Sequence, residues 1–286
     1  MQPELAALLE TAGITPRGEP KPMSGGDIAA VYWLETTQGA VVAKHDRAER
    51  LHGEAEGLAA LREATLDGQG SQGGLVIPQV LGIAGEWLLL EALESAPRRQ
   101  AGETVLGEGL RHLHAHTFTM HGWSHDNACG ATPQANGGCE DGRVFQRERR
   151  LLPLANACVE RGLLNSRDYD RVAQVAETLE KWLPQAPASL LHGDLWSGNV
   201  LFTPRGPALI DPSVYRHYPE VDLAMLTLFG TPSAAFFDAY WNGPTPADWP
   251  RREALFQLYP LLNHLLLFGG AYHGGVTRTL RRLENF

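Results

Sequence analysis

Three oxygen-bearing side chains, Asp194, Asn199 and Asp211, stand at spacings that suit phosphoryl transfer. The stretch LLHGDLWSGNVLF, residues 190–202, sets Asp194 five positions before Asn199 between apolar runs that read as buried backbone, and the next apolar run ends on Asp211. Asp-x4-Asn is the spacing of a kinase catalytic loop, whose Asp accepts the proton of the hydroxyl being phosphorylated. Thr203-Pro204-Arg205-Gly206 places Pro and Gly where a type I turn favours them. Strands pairing across that turn put Asn199 opposite Ile210, so that Asn199 and Asp211 share the open end of one hairpin, roughly 5–8 Å apart. Oxygen ligands at that separation suit Mg²⁺, which takes one or two protein ligands and fills its shell with water and phosphate oxygens. Asp194 is thus the candidate catalytic base, and Asn199 and Asp211 the candidate metal ligands. A loop whose Asp and Asn only make turn hydrogen bonds would explain Asp-x4-Asn alone. His192-Gly193 before it and a second acid after it favour the chemistry.

An independent sign comes from the N-terminal part. Val31–Glu35 and Ala40–Lys44 flank TTQG as a predicted hairpin, and residues 49–64 read as a helix. Leu51, Leu58 and Leu61 form its apolar stripe, and Glu54 falls on that stripe while Glu56 projects the other way. A carboxylate on a buried face needs a partner. Lys44, ending the preceding strand, is the candidate, and a strand Lys paired with a helix Glu is how kinases hold the α- and β-phosphates. Ser24, Gly25 and Gly26 are candidates for a phosphate-covering loop, since glycines let backbone N–H groups approach phosphate. Residues 91–93, from Glu91 to Leu93, are expected to supply the backbone that contacts adenine.

These elements imply an α+β, bilobal chain. Strands are predicted over 75–81 and 86–92, and the Gly-rich stretch 66–74 as a loop. SAPRR, residues 95–99, marks a hinge, giving a small β-rich nucleotide-binding lobe over 1–94 and a larger, mainly helical catalytic and substrate-binding lobe over 95–286. Helices are expected over 104–116, 168–183, 220–229 and 251–268, with a cleft between the lobes. A net charge of −9 argues against a nucleic-acid partner. Three cysteines without a CxxC pair, no signal-peptide layout and no apolar run of membrane length predict a soluble cytoplasmic protein.

HGDLWSGNVLF followed by ALIDPSVY resembles the fructosamine kinase family, also called ketosamine-3-kinases, a branch of the protein-kinase-like enzymes that includes the aminoglycoside phosphotransferases. The similarity extends through SGGDIAAVY, GEAEGLAAL, WLLLEAL, LGEGLRHLH, GATPQAN, VDLAMLTLFG and LNHLLLFGGAY. It implies a kinase using ATP and Mg²⁺, with Asp194 as base, Asn199 and Asp211 on the metal, and Lys44 with Glu54 positioning phosphate. Trp196 would wall the sugar pocket or brace the loop from beneath. The implied substrate is a small-molecule ketosamine or glycated amine, phosphorylated at the 3-hydroxyl of its ketose in a deglycation reaction. Two departures bear on the acceptor pocket or its rim: Gly138 and Gly142 stand where bulky aromatics are expected, and Arg216-His217-Tyr218-Pro219 where a Gly-containing turn is usual. They leave open a kinase for another hydroxylated amine, aminoglycoside- or choline-like. A catalytically silent nucleotide-binding protein is the alternative from another class.

Of the remaining features, His112 and His116 lie one helical turn apart, a metal-ligand spacing without the HExxH or paired Cys that would support it. Asn263 and His264, inside an apolar helix, are expected to bond within the core. Glu220 and Asp222 open a helix, where acids suit the dipole and anchor the catalytic loop.

Overall fold

In the computed structural model, residues 1–23, 29–66 and 74–286 are described. Ser24, Gly25 and Gly26 therefore lie outside the described residues, as does most of the Gly-rich stretch.

The N-terminal part is one antiparallel sheet with a helix on each face. Helix α1 (Pro3–Thr11) precedes strands β1 (Lys21–Pro22), β2 (Ala30–Thr36) and β3 (Gly39–His45); helix α2 (Ala48–Leu66), β4 (Val80–Ala84) and β5 (Trp87–Glu91) follow, in sheet order β1-β2-β3-β5-β4. The period of two in β5 divides the sheet: Trp87 and Leu89 pack with Leu5, Leu8 and Leu9 of α1, while Leu88 and Leu90 face Leu51, Leu58 and Leu61 of α2. Helix α2 belongs to the same core as the helical part, so the two regions share apolar packing. The predicted strand over 75–81 is shorter than expected. Val76 instead crosses to the second region, donating to Pro207 O at 2.9 Å and accepting from Leu209 N at 3.0 Å.

The larger part holds α3 (Gln100–His114), the short strands β6 (Thr117–Phe118), β7 (Asn127–Cys129) and β8 (Thr132–Gln134), and α4 (Gly142–Phe145), a π-helical turn over Gln146–Leu151, α5 (Leu152–Glu160) and α6 (Ser166–Glu177). Then come β9 (Ala188–Leu191), the hairpin β10 (Val200–Thr203) and β11 (Gly206–Leu209), β12 (Tyr215–His217) and four helices: α7 (Glu220–Leu228), α8 (Ala234–Trp241), α9 (Trp249–Phe268) and α10 (His273–Glu284). Helix α9 is buried along most of its length, because apolar residues surround it on every side. Strand β9 is fully buried and pairs with β6 and β12.

Polar groups are spent inside this core. The GATPQAN segment is bonded to α9: Thr132 donates to Asn263 Oδ1, and Gln134 Nε2 donates to Tyr259 Oη at 2.7 Å. Asn263 thus has the core role expected of it. The Arg150 guanidinium is fully buried, and among the described residues no carboxylate pairs with it. It lies 4.2 Å from the Tyr215 ring centroid and 4.6 Å from that of Phe145, and donates to Ala135 O and Asn136 Oδ1 at 2.7 and 2.6 Å. Other histidines nearby in sequence go to separate partners. His114 reaches Asp222, while Nδ1 of His121 and Nδ1 of His217 lie 2.8 Å apart.

His217 is fully buried, and burial, with His121 and Arg150 nearby, holds its pKa well below the usual 6.5. The unfolded chain then binds the extra proton as pH drops, so the stability from a neutral His217 is full above 6.5 and is lost progressively below it. Urea unfolding at pH 7.5 and 5.5 is expected to show the gap between native protein and His217→Gln narrowing by about 1 kcal/mol. A gap that stays constant would mean that His217 takes up its proton without cost in the fold.

Candidate active site

The catalytic loop is held from behind by one carboxylate. Asp222, in the first turn of α7 and fully buried, accepts from His192 N at 2.7 Å and Gly193 N at 2.9 Å, and its Oδ2 lies 3.2 Å from His114 Nε2. Strand β9 delivers the chain to this anchor. Gly193 then turns with φ of 84°, and a Cβ there would sit 2.0 Å from Ser213 O, so only glycine fits. The His192 ring braces the hairpin through Ile210 O at 2.9 Å.

Asp194 emerges from that turn beside Asn199. Asn199 Nδ2 donates to Asp194 O at 2.8 Å and to Asp194 Oδ2 at 3.3 Å. The Asp194 carboxyl is pushed up to about 7, first by burial and then by the negative charge of Asp211. The hairpin has the predicted register: Val200 pairs Leu209, Thr203 pairs Gly206, and Ile210 N donates to Asn199 O at 3.1 Å. Asp211 follows with φ of 58°, a left-handed conformation uncommon for a residue bearing a side chain, which turns its carboxylate out of the strand direction.

Lys44 joins the two regions. Its Nζ bonds Glu54 Oε1 at 2.7 Å and reaches Asp211 Oδ1 as well. Burial works against the ammonium, yet the two carboxylates outweigh it and raise the Lys44 pKa, so the side chain stays charged. The Glu54 carboxyl is raised by burial, with Lys44 opposing. Glu56 projects from the other side of α2 and pairs with His125 at 2.7 Å.

The donor set fits a hard cation. Asp194, Asp211 and Glu54 together carry more negative charge than Lys44 balances. Asn199 spends its amide nitrogen on Asp194, which leaves its oxygen for a ligand. Two oxygen donors with the rest of the shell left to water and phosphate is the arrangement Mg²⁺ prefers.

Trp196 is 37% exposed, with its ring laid against Gly198, where a Cβ would come within 2.2 Å of the indole, and 6.4 Å from the Phe229 ring at near right angles. The Trp-Ser-Gly segment thus fixes an indole at the surface of the loop rather than beneath it. Glu91 ends β5, and its side chain pairs with Arg205 of the hairpin turn at 2.7 Å, a link between the two regions that its sequence did not announce. Leu93 follows outside any strand, half-buried, at the start of the connection.

With this geometry in view, likeness to known proteins is informative. The model of the family described as fructosamine kinase matches residues 2–285. The chain belongs to the fructosamine kinase family. The "Probable ketoamine kinase YniA" of Escherichia coli (strain K12) is 31% identical over 270 residues, spanning 91% of each chain. The crystal structure of a putative fructosamine-3-kinase from Thermobifida fusca superposes with a TM-score of 0.88 at 29% identity over 98% of both chains. A mutant of aminoglycoside phosphotransferase APH(4)-Ia, in ternary complex with ADP and hygromycin B, shares the fold at a TM-score of 0.60 and 14% identity, over 99% of both chains. The chain is a phosphotransferase with an α+β, protein-kinase-like bilobal fold.

Within that family frame, the two departures meet each other rather than the rim. A Cβ at Gly142 would lie 2.4 Å from His121 and 2.6 Å from Tyr218, so the missing side chain makes room for the Tyr218 ring. His217 and Tyr218 are buried behind β9, and Arg216 lies over the rings of Phe118 and Trp123, 3.9 and 5.0 Å from their centroids. Gly138 is separate, beside Met120.

Asp222→Ala removes the acceptor for two backbone N–H groups and is expected to cost about 3 kcal/mol of stability. In the fraction still folded, turnover should drop at least tenfold. Chemical denaturation and initial rates on the variant check both, and wild-type values would show that the loop holds its shape without the anchor.

Proposed function

We propose that this enzyme is an ATP- and Mg²⁺-dependent kinase that phosphorylates the 3-hydroxyl of the ketose in ketosamines such as fructosamines and ribulosamines. The observation that carries the reading is the convergence of Lys44, Glu54 and Asp211 on one ion-paired group beside the Asp194–Asn199 pair. Family membership and the name of the E. coli relative support the acceptor class. The ADP complex of the aminoglycoside enzyme that shares the fold supports a nucleotide donor.

In the proposed transfer the ketose hydroxyl oxygen bonds the γ-phosphorus as the bond to ADP breaks, and its proton passes to Asp194. Asp194 is fixed beside Asn199 at the turn of the loop, where its carboxylate would take that proton. Lys44, held by Glu54, neutralises phosphate charge, and such positioning supplies most of the catalysis in phosphoryl transfer. Magnesium, held by Asn199 and Asp211, would supply further neutralisation of the phosphates. Residues 1–94 would carry the nucleotide, with Ser24, Gly25 and Gly26 over the phosphates and the backbone of Glu91 to Leu93 at the adenine. Residues 95–286 would carry catalysis and the acceptor, with Trp196 walling the sugar.

Asp194→Asn is expected to keep the fold and nucleotide binding while turnover falls about 10²–10⁴-fold. ADP release is to be followed with ATP and Mg²⁺ against fructoselysine, ribuloselysine, a simple amine-linked ketose, choline, an aminoglycoside and no acceptor. Ketosamine-dependent release that disappears in the variant supports the reading. Release with choline or the aminoglycoside alone would keep a kinase and discard the ketosamine. Near-normal turnover by the variant would remove Asp194 from the chemistry.

A further inference from the structure

The catalytic loop borders a row of aromatic rings that the transfer chemistry does not use. From Trp196 the row passes to Phe229, 6.4 Å away, and from Phe229 to His264 at 4.9 Å. His264 then meets Phe268 at 5.4 Å and Tyr272 at 5.0 Å between centroids. Three of these rings keep much of their surface in water: Trp196 at 37%, Phe229 at 38% and Phe268 at 49%. Such contiguous exposure is costly and marks a binding surface more often than chance. Gly230 and Gly269 directly follow Phe229 and Phe268, both with positive φ, and turn the chain away so that the rings are left at the edge.

The ridge differs from the aromatic rings on which arginines stack. Phe118, Trp123, Phe145, Tyr215, Tyr259, Trp182 and Phe202 each carry an arginine over a ring face. Among the described residues no guanidinium or ammonium covers the five rings of the ridge. His264 adds no charge, since burial lowers its pKa and its Nδ1 accompanies Pro260 O at 2.7 Å. The surface is therefore uncharged, ring-faced and continuous with a residue two positions after the catalytic base.

We infer that this ridge is the subsite for the amine substituent of the acceptor and that it selects ketosamines whose nitrogen carries a flat apolar ring. The inference rests on the ketosamine reading above. A ketose whose hydroxyl reaches Asp194 must project its amine away from the loop, and Trp196, two residues after Asp194, begins the ring surface that could receive it. Edge and face contacts between rings are directional and add to area burial. A substituent with an aromatic ring gains from them, whereas a methyl group is too short to reach beyond Trp196.

Phe268 and Tyr272 are the rings to test, since they lie farthest from the chemistry and Phe268 is half exposed. Phe268→Ala and Tyr272→Ala are each expected to raise KM for the benzylamine-derived fructosamine about three- to tenfold. KM for the methylamine-derived fructosamine, KM for ATP and both kcat values should stay unchanged. Phe268→Leu, which retains apolar area, should recover only part of the loss. Equal changes for both acceptors, or none for either, would overturn the inference. So would a preference for fructoselysine over the benzyl compound that both variants abolish, which would assign the rings to an ammonium. Light scattering is the remaining arm: a native dimer that Phe268→Ala dissociates would make the ridge a contact between two copies. If the native enzyme phosphorylates neither fructosamine while turning over another acceptor, the ketosamine reading itself fails and takes the inference with it.

Discussion

The site depends on a carboxylate that never meets a reactant. Asp222 sits at full burial and binds consecutive backbone N–H groups at the point where β9 must stop being a strand. Burying a charge is expensive unless it is bonded on every side, and here the partners are the two amides and the His114 ring. That arrangement fixes the direction in which Gly193 turns and so where Asp194 emerges. It also ties three elements together, because α3 supplies His114, α7 supplies Asp222 and β9 supplies the loop. A loop anchored at its entry through main-chain atoms needs no side chain of its own for that anchor, which leaves the Asp194 carboxylate and the Trp196 ring for other work.

Two backbone conformations with positive φ frame the same centre, at Gly193 and at Asp211. The first is relieved by the absence of a side chain. The second has no such relief, and its cost of about 1–3 kcal/mol must be met by the surroundings. The Asp211 carboxylate bonds Lys44, and Ile210 before it is gripped from both sides, by Asn199 O at its N–H and by the His192 ring at its carbonyl. Strain held this way keeps the acid at the mouth of the hairpin instead of along the sheet.

How much of this could be read from the chain follows the range of the interaction. The β10–β11 register was legible because a four-residue turn and a period of two fix pairing locally, and the structure has Ile210 opposite Asn199. The Lys44–Glu54 pair was legible because a carboxylate interrupting an apolar stripe announces a missing partner. Residues 24–26 lie outside what the structure describes. Longer-range features carried no local mark. Val76 looked like part of a strand in the first sheet because it is apolar, whereas its partner is Ala208, far along the chain. Helix α1 was missed, as was the π-helical turn that brings Arg150 over Tyr215. The Gly142 and Arg216–Pro219 departures looked like changes to a rim because sequence cannot show that a missing side chain at one and an added ring at the other fill the same space.

That last contact bears on how the site divides its labour. The sheet β6-β9-β12 behind the catalytic loop is packed with neutral histidines, aromatic rings and arginines stacked on them, so substitution there changes the support of Asp194 without adding charge beside it. In front, the charges are gathered on one side, where Lys44, Glu54, Asp211 and Asn199 meet. Trp196 and the rings beyond it follow Asp194, and among the described residues no ion pair involves them. Opposite demands explain the split. A triphosphate is held by charge and a divalent ion, and excess charge near the acceptor would pull it out of line. On the proposed reading, an acceptor approaching across uncharged rings would gain from dispersion and desolvation, both of which favour a seated pose without competing for the phosphates. Asp194 stands at the seam, held beside Asn199. In the proposed reaction, the same separation of charged and apolar surfaces would set the two substrates on either side of Asp194.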